Sequence, residues 1–136
     1  MALAQLETAL RLYFEQHDYY SVITLAGAAD EIFGKLLIAK ELDSSIESLK
    51  RSVATIHKVL TGQELAPSAV VERANRARNA LKHWSPAQPP IVLFDSLEES
   101  KDMLNRAIDN YWALEARLSP AMEQFQRECF AAPQLP

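Results

Sequence analysis

Two side chains near the middle of the chain have types and spacing suited to joint chemistry: Arg78 and His83. Histidine titrates near neutral pH, so it can give or take a proton there. His83 stands in the last turn of a predicted helix, just before a Ser85-Pro86 break, where the helix dipole favours the imidazolium form and general-acid work. The same place also suits a plain helix cap. Arg78 is permanently charged, yet on a helical wheel it falls beside Val71 in the apolar arc of Val70, Val71, Ala74, Ala77 and Leu81. Glu72, Arg76, Asn79 and His83 take the opposite stripe. A guanidinium on an apolar face needs an anionic partner, because an unpaired buried charge is very costly. Asp30 and Glu31 are the candidates. Such a pair also has a purely structural reading, and spacing leaves both open.

Charge distribution points to the same segment. The chain has 136 residues, 14 Lys plus Arg, 18 Asp plus Glu and a net charge of −4, which argues against coating nucleic acid by bulk charge. Residues 66–94, however, hold Arg73, Arg76, Arg78 and Lys82 against Glu72 alone, a net of +3 that leaves −7 for the rest. A local basic face on an acidic body suits one phosphate-binding cleft.

The elements that must position these residues read as helices throughout, with only 3 Gly and no alternating β-branched runs. The expected fold is all-α, a single up-down bundle of about five helices. A first helix over about 2–16 places Leu3, Leu6, Leu10 and Tyr13 or Phe14 on one stripe, and Asp18 caps the next. The second, over 19–42, carries Val22, Leu25, Ala26, Ala29, Phe33, Leu36 and Leu37 inward. Its other stripe, Ile23, Gly27, Gly34 and Ile38, implies close approach by another backbone, within the fold or across a dimer. A third helix over 45–60 turns Leu49, Val53, Ile56 and Leu60 inward and ends at Gly62. Pro67 opens a fourth that runs to 83 or 84. After a proline-rich loop, a fifth starts at Asp95 or Ser96, turns Leu97, Leu104, Ile108, Tyr111 and Leu118 inward and ends before Pro120. A short helix over 121–130 and a frayed tail over 131–136 complete the chain.

Arg78-Asn79-Ala80-Leu81-Lys82-His83 matches the R-x4-H form of the motif that marks the HEPN superfamily, with Asn79 as the polar residue often found after its arginine. Residues 20–32 resemble the helix that precedes this motif in many HEPN-like bacterial proteins, and the similarity extends over 1–118. The resemblance implies a four-helix core with additional helices and a homodimer whose two motifs face one cleft. Many active members are metal-independent endoribonucleases, including toxin and phage-defence types; others bind nucleotides or serve as inactive scaffolds. Carried over by position, Arg78 would stabilise charge on the phosphorane, and His83 would shuttle the proton to or from the 2′-hydroxyl or the leaving oxygen. Asn79, Glu31 and Asp30 would support them, and Arg73, Arg76 and Lys82 would contact RNA phosphates. Ser85 occupies the place of a tyrosine found in members paired with a nucleotidyltransferase antitoxin, so regulation through that tyrosine is not expected.

Other chemistries find little footing. His17 and His57 are expected on separate elements without metal-ligand spacing, the Glu98-Glu99-Asp102 cluster reads as a helix N-terminus, and no cofactor motif occurs. Trp84 could stack on a base, although packing under a loop suits it better. Cys129 is the single cysteine, which favours a reducing, cytoplasmic setting, and neither a signal peptide nor a membrane span is expected. Two functions are therefore expected: an endoribonuclease acting through Arg78 and His83, and a non-catalytic dimer binding a nucleotide or a protein such as an antitoxin.

Overall fold

The computed structural model describes residues 1–83, 85–87 and 91–130, and these form six helices with no strand among them. Helix α1 spans Ala2–Arg11, and its continuation over Leu12–Gln16 widens to i→i+5 bonding before His17 turns left-handed at φ 54°. Asp18 then caps α2, Tyr19–Ala39, by accepting a hydrogen bond from the Ser21 amide at 3.2 Å. This helix stops three residues short of the expected end, because Glu41 takes a left-handed φ of 58° and the Leu42 amide closes onto the Leu37 carbonyl at 2.9 Å.

The next caps follow from residue type. Ser44 accepts from the Glu47 amide to start α3, Ser45–Thr61, and Gly62 ends it at φ 71°. Pro67 opens α4, Pro67–Lys82, and Asp95 accepts from the Leu97 and Glu98 amides to start α5, Ser96–Glu115. α5 ends earlier than its apolar pattern suggests: Ala116 turns left-handed, which leaves Leu118 half-buried in the link to α6, Pro120–Phe130. Residues 91–94 form no regular element, and the Phe94 ring meets Tyr20 edge-on. Trp84 and the tail over 131–136 lie outside the described residues.

The core is built by α1, α2 and α5, with α6 packed against α1 and α5. Leu6, Leu10, Val22, Ala26, Phe33, Leu104, Ile108 and Tyr111 are buried in it with Met122 and Phe125, so α6 is integral to the core. Helix α2 lies centrally, against α1, α4 and α5. Its glycine stripe is covered within the chain: Ile23, Gly27 and Gly34 are buried and only Ile38 is exposed, so this stripe offers no face to a second copy. At Gly34 an added Cβ would sit 3.6 Å from Ser44 Cβ, which shows how closely the loop before α3 crosses the helix.

Helix α3 departs most from expectation. Leu49 and Val53 are half-buried, but Ile56 and Leu60 are exposed, and no residue of the helix is fully buried. Most of its second half is exposed, so much of its apolar stripe meets solvent. Leu36 and Leu3, expected inward, are also partly uncovered. No helix among the described residues is long and apolar enough to cross a membrane.

Candidate functional site

Asp30 and Glu31 are neighbours on α2, but successive helical residues point about 100° apart. They consequently enter different environments. Asp30 is buried and its Oδ2 accepts from Arg106 Nη2 of α5 at 2.7 Å. Arg106 Nη1 also donates to Asn75 Oδ1 at 3.0 Å and to the Ala74 carbonyl at 3.1 Å, which ties α4 to the same point. Asn110 Nδ2 donates to Asp30 Oδ1 at 2.9 Å, while Asn110 Oδ1 accepts the Ser45 amide at 2.7 Å. Four helices therefore meet at one carboxylate. Burial pushes the Asp30 carboxyl above its ordinary value despite the nearby arginines, and burial likewise lowers Arg106.

This network narrows one expectation, that Asp30 or Glu31 partners Arg78. Asp30 is directly bonded to Arg106, leaving Glu31 as the ion-pair partner of Arg78. Sequence reading missed Arg106, Asn75 and Asn110. Two of them carried a signal: Asn75 shares the α4 stripe of Val71 and Arg78, and Asn110 stands three residues after buried Ala107 on the α5 core face. A buried polar residue in an apolar stripe requires a partner.

Arg78 reaches Glu31 by crossing α2 at Gly27. A Cβ added there would lie 2.5 Å from Arg78 Cδ and 2.9 Å from Cγ, so glycine supplies the channel for the arginine stem. Only 16% of the Arg78 side chain is exposed, and its Nη1 stands 3.9 Å from Glu31 Oε2. That is an electrostatic contact beyond hydrogen-bond length. The buried Arg78 Nε has no hydrogen-bond partner among the described residues. Lys82 Nζ approaches the same Glu31 oxygen at 3.6 Å, and Lys35, one turn along α2, donates to Oε1 at 2.9 Å. The Lys35 hydrogen bond, followed by the fields of Lys82 and Arg78, holds the Glu31 carboxyl below its ordinary value.

The other expected residues divide around α4. His83 follows the helix as its C-cap, with its amide on the Asn79 carbonyl at 2.9 Å and its ring exposed. Among the described residues the ring makes no hydrogen bond or ion pair, with Arg78 or any other side chain. Arg73 and Arg76 are exposed on the far side of α4, where their fields act on Glu99 of α5. The basic segment is thus split into two faces. Arg78 and Lys82 form one around Glu31; Arg73 and Arg76 form another.

Two surface grooves, of about 460 and 330 Å3, are lined by α1 with α6 and by residues around Phe33 and Tyr111. Neither includes Arg78 or His83. Among the described residues no three His, Cys, Asp or Glu side chains are grouped to hold a metal ion. No family model, no curated protein and no solved structure matches the chain.

Proposed function

We propose that the chain is a HEPN-like, metal-independent endoribonuclease of toxin or phage-defence type, working as a homodimer in which Arg78 and His83 of both copies face one RNA cleft. One observation carries this reading: Arg106 binds the buried Asp30 carboxylate, leaving Arg78 without a hydrogen-bonded anion. The structural ion pair belongs to Arg106. Arg78 retains donors for a two-point contact with a phosphate.

The chemistry needs few groups. Attack of a ribose 2′-oxygen on its own phosphate forms a 2′,3′-cyclic phosphate and releases the 5′-oxygen of the next nucleotide. The 2′-hydroxyl loses its proton and the leaving oxygen gains one; His83, exposed at the end of α4, serves this transfer. Arg78 stabilises the added negative charge of the phosphorane. Asn79 positions His83 through the backbone bond that ends the helix, and Glu31 keeps the Arg78 and Lys82 cations directed to one point.

The test is cleavage of RNA by the purified protein in EDTA, with a cyclic phosphate on the product. His83→Ala abolishes it. Unchanged cleavage in that variant overturns the assignment. Light scattering should give the mass of two chains at micromolar concentration.

One observation favours a second reading, a non-catalytic scaffold that binds a protein: Val59 and Leu60 on α3 are 79% and 78% exposed. In that case His83→Ala and Arg78→Ala leave partner binding intact, whereas polar substitution at Val59 and Leu60 removes it.

A further inference from the structure

Glu31 meets more positive charge than one carboxylate neutralises. Lys35, Arg78 and Lys82 converge on it from two helices, at 2.9, 3.9 and 3.6 Å. Only Lys35 is at hydrogen-bond distance, so Arg78 and Lys82 keep their donors unspent on Glu31. Building on the reading of Arg78 as a phosphate-binding group, we infer that the Glu31 carboxylate is a removable occupant of that phosphate subsite: it fills the place of one RNA phosphodiester and swings aside when the strand binds.

The mobile and fixed parts are distributed accordingly. The Arg78 stem is confined in the channel over Gly27, which holds the guanidinium in place. Glu31, by contrast, is 36% exposed, and Lys35 beside it is 74% exposed and one helical turn away. Glu31 holds Arg78 and Lys82 only at 3.9 and 3.6 Å, beyond hydrogen-bond length, and the phosphate that replaces it restores an anion beside the mostly buried Arg78, so the exchange leaves neither cation unpaired. Lys35 gives the displaced carboxylate a partner in its new position. The cations are therefore held ready by an internal anion that a strand can replace.

This arrangement has a consequence for ligand choice. A small anion must compete with a carboxylate tethered at the site, whereas an RNA strand brings further phosphates whose contacts offset the exchange. The subsite should therefore discriminate against inorganic phosphate and favour the polyanion.

The test measures binding separately from cleavage. A labelled 2′-O-methyl oligoribonucleotide, which lacks the attacking hydroxyl, is titrated into the full chain and followed by fluorescence anisotropy. Glu31→Gln should tighten its binding by roughly threefold to tenfold, the order expected for removing one screened negative charge. Glu31→Ala should act in the same direction, and Arg78→Ala added to Glu31→Gln should remove the gain. At equal fractional saturation with the oligonucleotide, inorganic phosphate should compete with it at lower concentration in Glu31→Gln than in the parent protein. Unchanged or weaker oligonucleotide binding in both Glu31 variants overturns the inference, and if the parent protein still cleaves RNA the ribonuclease reading survives. Tighter binding without cleavage by the parent protein supports the phosphate subsite and removes the ribonuclease reading.

Discussion

Asp30 and Glu31 are consecutive carboxylates on one helix, each attended by arginine, yet the molecule uses them in opposite ways. Asp30 is enclosed and saturated: Arg106 and Asn110 bond it directly, and through them Asn75 and Ser45 are tied to the same point. Glu31 stands at the edge of the fold, with Lys35 at bonding distance and Arg78 and Lys82 farther off. A one-residue step along α2 separates a pair that fixes four helices from a pair that keeps its cations available. The contrast gives the proposed role of Arg78 its test: whether removing this arginine costs as much stability as breaking the committed Asp30–Arg106 pair.

Stability measurements should break the symmetry first. Asp30→Ala leaves the Arg106 guanidinium without its anion and should cost about 3–5 kcal/mol in denaturant unfolding. Replacing both Asp30 and Arg106 by leucine should cost less than the sum of the single changes, because neither charge is then orphaned. Arg78→Ala should cost only about 1–2 kcal/mol, mainly lost packing of its stem over Gly27, while reducing RNA cleavage at least a hundredfold. A cost matching that of Asp30→Ala would return Arg78 to a structural role.

Gly27→Ala probes the channel itself. The added methyl gains about 1 kcal/mol of helix propensity and displaces the arginine stem, so melting should shift little while cleavage falls. The two carboxylates should also be shifted in opposite directions by side-chain carboxyl NMR, with Asp30 above its ordinary 3.8 and Glu31 below its ordinary 4.5. Glu31 adds stability above pH 4.5 that is lost as pH falls through its lowered folded value. Asp30 has the opposite sign: its folded form takes up a proton first, so its own contribution favours folding increasingly as pH falls towards 3.8. At the small end, Val59→Ser on exposed α3 should change stability by less than about 0.5 kcal/mol.

What could be read from the chain beforehand was mostly local. Asp18, Pro67 and Asp95 announced helix starts because capping depends on a few neighbouring atoms, and Arg78 stood out because a charge had fallen into an apolar stripe. The partnership of Asp30 with Arg106 was hidden by their separation of 76 positions. One further error lies in α3: periodicity shows that it has an apolar face but not what covers it, and the fold leaves much of that face bare, whereas the α2 glycine stripe, expected to meet a neighbour within the fold or across a dimer, meets one within the fold. Similarly, counting charge over residues 66–94 merged Arg73 and Arg76 with Lys82, although the helix directs them to opposite sides.

The attachment of α3 has a kinetic consequence. The helix is secured at its first turn, where the Ser45 amide meets Asn110 and the Ser45 hydroxyl meets the Arg106 carbonyl, while its second half has no fully buried residue. Opening there exposes little new apolar surface. Amide protons of 55–61 should therefore exchange with solvent through brief local fraying, long before those of α2 and α5, whose release requires the core to come apart.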